Sequence, residues 1–421
     1  MITKDLIKRL IVEYQREISN VQIVERSFSF EKELNYVLVG LRRAGKSYLM
    51  FQQIKQLLKS GYSINQILYF NFEDDRLSIL DIADLDLIKV CYEEMFDYKP
   101  VFFLDEIQIV SGWEKFARRL ADQGYRVYIT GSNAKMLSSE IATTLGGRYM
   151  IKNVYPYSFS EYLKASNIDI YDKNYKYLFY SEINRAFENY FFFGGLPEIL
   201  KVENKREWLS NLFQKIFFGD LVSRYQIRND FAMRILIRKL SESVKQPSSF
   251  NRLAHLVSSS GKKISTDTII DYLNYLKESW MIFSIENIEA KLADKVSNKK
   301  YYFIDNGMLN LFIADPHTSL LENLVAIHLY RLYGEQVYFY HNGVEVDFYV
   351  ADLQMAIQVS YSLNDTDTRN REVYALSQLS KRMNIKKMLI ITRDEEFSLS
   401  ENENHIEVIP IWKWLLNNNT N

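Results

Sequence analysis

The eight residues Gly40-Leu41-Arg42-Arg43-Ala44-Gly45-Lys46-Ser47 constrain this chain more than any other stretch. They match GxxxxGK[ST] and follow a short apolar run, Tyr36 to Val39, that stops at Gly40. Directly after them, apolar side chains recur at helical spacing: Tyr48, Leu49, Phe51, Ile54, Leu57 and Leu58. Strand, loop and helix in that order are what the motif's chemistry needs. Its glycines let the main chain wrap a polyphosphate, so that successive N–H groups and the helix N-terminus face the negative charge. Lys46 is then expected to reach the β- and γ-phosphates and Ser47 to ligate Mg²⁺, with Tyr48 just inside the helix. Gly40, Leu41, Arg42, Arg43, Ala44, Gly45, Lys46, Ser47 and Tyr48 are the expected nucleotide contacts.

Further apolar runs occur at Ile67 to Phe72, Val101 to Leu104, Val127 to Thr130 and Tyr149 to Val154, separated by stretches such as Leu80 to Phe96 and Trp113 to Asp122 that read as helices. This alternation predicts an α/β fold with a parallel sheet covered on both faces. The run Val101-Phe102-Phe103-Leu104-Asp105-Glu106 delivers two carboxylates to a strand's C-terminal end, where such sheets bind ligands. Alone, that ending reads as a solvated loop; with the upstream motif it becomes specific. Asp105 is expected to hold Mg²⁺ and Glu106 to orient and deprotonate an attacking water. The next strand ends in Thr130-Gly131-Ser132-Asn133, where Asn133, ahead of Ser132, is the candidate to bond the γ-phosphate or the water, against the alternative of a plain turn. Arg148 precedes the strand beginning at Tyr149. From there it could reach a neighbouring subunit's γ-phosphate, or simply complement a helix macrodipole.

A length of 421 residues exceeds what one hydrophobic core supports, so smaller domains are expected beyond the nucleotide module. Charge does not point to a partner, since Lys+Arg 52 balance Asp+Glu 53. One cysteine, Cys91, excludes an internal disulfide, and five scattered His give no zinc spacing. The opening MITKDLIKRLIVEYQREI reads as a charged amphipathic helix, and no apolar run approaches 18 residues, so a cytoplasmic protein without a membrane span is expected.

The periodicity divides the chain into a P-loop core with its N-terminal helix (1–157), a helical lid (158–229) broken at Gly194-Gly195-Leu196-Pro197, a segment with the helix and strand order of a winged helix (230–312), and a small α/β domain (313–421). In the third segment the helix that would enter a groove, Ser265 to Ser279, carries Asp267, Asp271, Lys277 and Glu278, which repel phosphate on balance. The wing is basic, with Lys291, Lys295, Lys299 and Lys300, and is the expected place for any DNA contact.

GLRRAGKS, FFLDEIQ, TGSNA, LGGR, YPYSFSEYL and FGGLP together resemble the prokaryotic AAA-type ATP-binding proteins that end in a nuclease-like domain of unknown function. The resemblance covers nearly the whole chain. It implies ATP as the nucleotide, a helical lid, a winged helix, a C-terminal restriction-endonuclease-like fold, and Arg148 as an arginine finger in a homo-oligomer. Nucleases of the PD-(D/E)XK kind gather carboxylates and a lysine around a divalent metal. Here the matching positions are Glu322, Asp347, Gln358 and Ser360, with Glu345 on the face of Asp347. Gln358 is a poor metal ligand and Ser360 carries no cation, so nuclease activity is not expected and the domain reads as degenerate. The expected function is ATP binding and hydrolysis that drives or gates a conformational or assembly change. The alternatives are an ATP-regulated DNA-binding module and a scaffold for a protein partner.

Overall fold

The computed structural model describes residues 2–132, 136, 139–168, 170, 174, 178–261, 263–401 and 404–417. It divides into two compact units, Met1–Tyr155 with Glu278–Trp280, and Pro156–Lys277 with Met281–Asn421.

The first unit runs α1 (Lys4–Asn20), β1 (Asn35–Val39), α2 (Lys46–Lys59), β2 (Ile67–Asn71), α3 (Leu85–Glu93), β3 (Val101–Asp105), α4 (Trp113–Asp122), β4 (Arg126–Gly131), α5 (Ser139–Leu145) and β5 (Tyr149–Asn153). Its strands form one parallel sheet in the order β2-β3-β4-β1-β5. The central strands are buried along nearly their whole length, as expected of a sheet covered on both faces. Tyr128 of β4 stacks between Phe103 of β3 at 4.6 Å and Tyr36 of β1 at 5.9 Å. Gln53 of α2 donates to the Tyr128 hydroxyl at 3.0 Å, which pins the helix that carries Lys46 to the sheet. On the outer strand β2, Gln15 of α1 donates to the carbonyls of Ile64 and Ile67, both at 3.1 Å.

One expected helix is shorter than its apolar pattern. Between Leu80 and Phe96 only α3 is α-helical, preceded by a 3₁₀ turn at Ile82–Asp84. The Asp81 side chain accepts from the Ala83 N–H at 2.7 Å, a local bond that favours caps over helix interiors.

The second unit begins with α6 (Phe159–Ala165), α7 (Tyr180–Phe193), α8 (Lys205–Lys215), α9 (Asp230–Glu242), β6 (Ser248–Ser249), α10 (Phe250–Ser258) and α11 (Thr266–Glu278). It continues with β7 (Ile282–Asn287), α12 (Leu292–Ser297), β8 (Asn298–Phe303), α13 (Asn306–Asn310), α14 (His317–Tyr333), β9 (Val337–His341), β10 (Glu345–Val350) and β11 (Met355–Val359). Then follow α15 (Thr366–Ser380), β12 (Lys387–Thr392), β13 (Phe397–Glu401), β14 (Asn404–Pro410) and α16 (Ile411–Asn417).

A single nine-stranded sheet, β13-β14-β12-β11-β10-β9-β7-β8-β6, runs through this unit. The join is the parallel pairing of β7 with β9, Glu286 opposite Tyr338 and Asn287 opposite Phe339. Segments 230–312 and 313–421 therefore share one sheet. Helix α15 covers one end of it through a core of Tyr340, Val346, Ala356, Leu376, Leu379, Ile390 and Val408.

The Gly194-Gly195 break serves this unit. The Gly195 N–H donates to Asp305 at 2.8 Å, and a Cβ at Gly194 would lie 2.0 Å from the same carboxylate. Beside it, Asn306 donates to the carbonyls of Phe191 and Leu320, and Asn323 donates to the Phe303 carbonyl and to Asn306. These bonds fasten α7, β8, α13 and α14 to one another. Among the described residues no helix is long and apolar enough to cross a membrane.

Candidate nucleotide site

The loop leaves β1 at Gly40, whose Cα approaches the main chain just past β5 so closely that a Cβ would sit 2.1 Å from the Val154 carbonyl oxygen. Gly45 has φ +94° and stands at the N-cap of α2 without a side-chain cap, so the first N–H groups of that helix remain open to an anion. The Ala44 N–H donates to the Leu41 carbonyl at 3.1 Å, closing the loop's inner turn. Arg26, which sequence reasoning missed, supports the loop from outside by donating to the Ala44 carbonyl at 3.1 Å and the Tyr155 carbonyl at 3.0 Å.

Lys46 is buried, with Nζ 3.2 Å from the carbonyl oxygens of both Gly40 and Leu41 and 3.3 Å from Glu106 Oε1. Arg42 pairs with Glu73 at 2.7 Å, Arg43 is exposed at φ +64°, and Tyr48 is exposed with its ring against Phe51.

Because β4 lies between β1 and β3, the end of β4 stands between the loop and the two carboxylates. Thr130 uses that position. Its hydroxyl donates to Asp105 Oδ1 and accepts from the Glu106 N–H at 2.9 Å. The Tyr69 hydroxyl donates to Asp105 Oδ2 at 2.6 Å, and Ser47 also bonds this carboxylate. Burial, and then the neighbouring Glu106 charge, raise the Asp105 carboxyl above its ordinary value despite these bonds. A buried carboxylate beside a serine hydroxyl, with its charge uncompensated, is a donor set that fits Mg²⁺. Among the described residues no group of three or more His, Cys, Asp or Glu forms a metal cage, and Mg²⁺ needs none, since it keeps waters and takes phosphate oxygens.

Glu106 adopts φ +55°, which turns its carboxylate back toward the loop. Burial opposes its charge, but Lys46, the Gln108 amide and Arg42 outweigh this and hold the carboxyl below its ordinary value. Glu106 Oε2 accepts from Gln108 Nε2 at 2.5 Å and from the Ser132 N–H at 3.2 Å. Asn133 lies outside the described residues.

Arg148 sits just before β5, where Tyr149 pairs with Asn35 at the start of β1 and Asn153 with Val39 at its end. At a rise of ~3.3 Å per residue this places the Arg148 main chain, level with Leu34, about 20 Å from Gly40, where the loop of its own chain begins. The side chain pairs with Asp122, and Nη1 donates to the Gly146 carbonyl at 3.2 Å.

The C-terminal candidates gather differently from the sequence expectation. Lys300, expected on the wing as a DNA contact, is fully buried, with Nζ 2.8 Å from Glu345, 3.3 Å from Asp347 and 3.4 Å from Glu322. It cannot touch DNA, because it opens the buried part of β8 and points inward with Tyr302, which itself donates to Glu322 at 2.8 Å. Burial alone would discharge this lysine, but the three carboxylates outweigh it and raise its pKa. Burial pushes Glu322 up to about 7. The ammonium that Ser360 lacks thus arrives from another strand, while the Ser360 hydroxyl turns to the Ser362 carbonyl. Gln358 accepts from the Asp347 N–H at 2.8 Å and donates to the Glu345 carbonyl at 3.1 Å, bracing β10. Of the other wing lysines, Lys299 is held by Glu286 at 2.7 Å, while Lys291 is exposed and Lys295 half-buried at the ends of a helical turn, α12.

A family model described as an AAA domain matches residues 32–163, and one described as a domain of unknown function (DUF8612) matches 184–318. The uncharacterized protein MJ1544 of Methanocaldococcus jannaschii is 33% identical over 98% of this chain and 96% of its own length. An uncharacterized protein of Haemophilus influenzae is 30% identical over 90% of this chain and 94% of its own. Among solved structures, a Walker-type ATPase of Pyrococcus abyssi is similar at TM-score 0.38 and 13% identity, covering 74% of this chain and 96% of that one. The ORC1 protein of Aeropyrum pernix, in complex with DNA, is similar at TM-score 0.30 and 13% identity, covering 75% of this chain and 93% of that one.

Proposed function

The chain belongs to one family with these uncharacterized archaeal and bacterial proteins, and its residues 32–163 match an AAA domain; from that premise we propose that it binds ATP with Mg²⁺ and hydrolyses it. The observation that carries this reading is the approach of Lys46 to Glu106 at 3.3 Å, which puts the loop's cation and the strand's carboxylates in one buried site. The N–H groups of the loop and of α2 would cradle the phosphates, and Lys46 would exchange its carbonyl partners for phosphate oxygens. Ser47 and Asp105 would hold Mg²⁺, which neutralises charge on the β- and γ-phosphates. Thr130 and Tyr69 keep Asp105 oriented, because their hydroxyls occupy one lone pair on each of its oxygens. Glu106 takes a proton from water as the water oxygen bonds to the γ-phosphorus and the bond to the bridging oxygen breaks, leaving ADP and phosphate.

Arg148 stands at the far end of β5 from its own loop, so any catalytic part it plays is on the site of a neighbouring subunit in a homo-oligomer. We further read 158–229 as a lid, 230–312 as a winged helix and 313–421 as a nuclease-like fold that serves as structure, its carboxylates being taken by Lys300. Nucleotide state would then drive or gate a change in conformation or assembly.

Phosphate release by the intact chain with Mg²⁺ and ATP tests the assignment. Glu106→Gln is expected to lower turnover by about a hundredfold or more while leaving ATP affinity intact. Arg148→Ala is expected to lower it only at concentrations where the chain self-associates. Unchanged turnover in Glu106→Gln contradicts the base assignment, and loss in Arg148→Ala at every dilution contradicts action in trans.

A further inference from the structure

Besides Lys46, Gln108 and Ser132 hold the Glu106 carboxylate, and each of the two presents a buried polar atom without a hydrogen-bond partner among the described residues. Gln108 and Ser132 both donate to Glu106 Oε2. Gln108 Oε1 and Ser132 Oγ are buried and have no hydrogen-bond partner among the described residues. The orientation of the Gln108 amide is not free, since a carboxylate only accepts and so Nε2 must face Glu106. An unpaired buried polar group is destabilising, and two of them beside one carboxylate mark a place that a small polar ligand would satisfy. Backbone geometry builds the arrangement: the left-handed Glu106 and the 3₁₀ turn Ile107–Ile109 fold the chain back so that the amide two residues on reaches the carboxylate. Gly131 leaves room for it, since a Cβ there would lie 2.8 Å from Gln108 Oε1.

We propose that Gln108 holds the attacking water together with Glu106, an inference that rests on the ATPase reading. One water O–H donates to the Glu106 carboxylate and the other to Gln108 Oε1, while the Ser132 hydroxyl donates to the water oxygen. One lone pair is left for the γ-phosphorus. As the new O–P bond forms, the proton passes to Glu106 and the electron pair of the breaking bond leaves with ADP.

The test is made on the full chain with Gln108→Met, which keeps length and removes the acceptor together with the donor to Glu106, and with Gln108→Asn, which keeps the amide and shortens its reach. Expected for both is a fall in kcat, about a hundredfold for Gln108→Met, with the affinity for a non-hydrolysable ATP analogue unchanged. ADP with aluminium fluoride, which imitates the planar phosphoryl group with its in-line water, should be trapped far less well by Gln108→Met. ADP with beryllium fluoride, which imitates the bound γ-phosphoryl group alone, should be trapped as by the wild type. Wild-type kcat in both variants overturns the proposal, as does equal loss of both fluoride complexes, which is the signature of a merely structural role. A wild-type chain that binds no ATP takes down the ATPase reading itself, and the proposal with it.

Discussion

At the scale of single residues, position within a contiguous motif is what sequence can read. Lys46, Ser47, Asp105 and Glu106 fall within two short runs whose spacing carries the chemistry, and the structure brings their side chains together. Thr130, Tyr69 and Arg26 were not legible, because each acts across strands or loops whose pairing no local pattern encodes, and Gln108 was not because it reaches Glu106 only through the left-handed turn at Glu106. Residue-scale electrostatics also gives a pH prediction outside the nucleotide site. His328 is buried against Trp414, its Nε2 lacks a partner among the described residues, and burial followed by the Arg331 charge lowers its pKa to about 3. The unfolded chain takes up this proton near pH 6.5 while the folded chain refuses it, so stability is lost as pH falls below about 6.5. From this group the loss is about 2 kcal/mol between pH 6.5 and pH 5. Denaturant unfolding at pH 7 and pH 5 should show a shallower pH dependence for His328→Phe than for the wild type; identical dependences contradict the assignment.

At the scale of elements, β1 to β4 of the first unit were legible because buried parallel strands read as apolar runs; the limits of all five strands lie within two residues of the expected runs, although β5 is exposed beyond Tyr149. The partners of β7 were not. Its apolar pattern is satisfied equally by a small hairpin or by a larger sheet, and only the three-dimensional fold pairs it with β9. Lys300 escaped for the same reason: in a run of lysines its charge reads as solvated, whereas strand alternation turns it inward onto Glu322, Glu345 and Asp347. Removing one member of a buried ion group strands the others, at a cost of about 3–5 kcal/mol. Lys300→Met is therefore expected to lower the urea stability of the chain by that order, and Asp347→Asn in the same chain to recover part of it. A double-mutant cycle with no coupling between the two positions contradicts this account of the cluster.

At the scale of the whole molecule, a unit that carries the P-loop on a five-stranded parallel sheet and a larger unit built on one nine-stranded sheet share the chain. The motif pattern made the first legible as a nucleotide fold. In the second unit each stretch of sequence reads by itself as a small domain, while strand pairing runs continuously from β6 to β13. All functional claims for the molecule depend on the loop from Gly40 to Ser47 accepting a triphosphate. The most direct measurement is a calorimetric titration of the intact protein with ATP in the presence of Mg²⁺, beside Lys46→Ala. Saturable binding at one site per chain in the wild type, abolished or weakened by at least about a hundredfold in Lys46→Ala, is the predicted result. No binding to the wild type, or equal affinity in the two proteins, would contradict it.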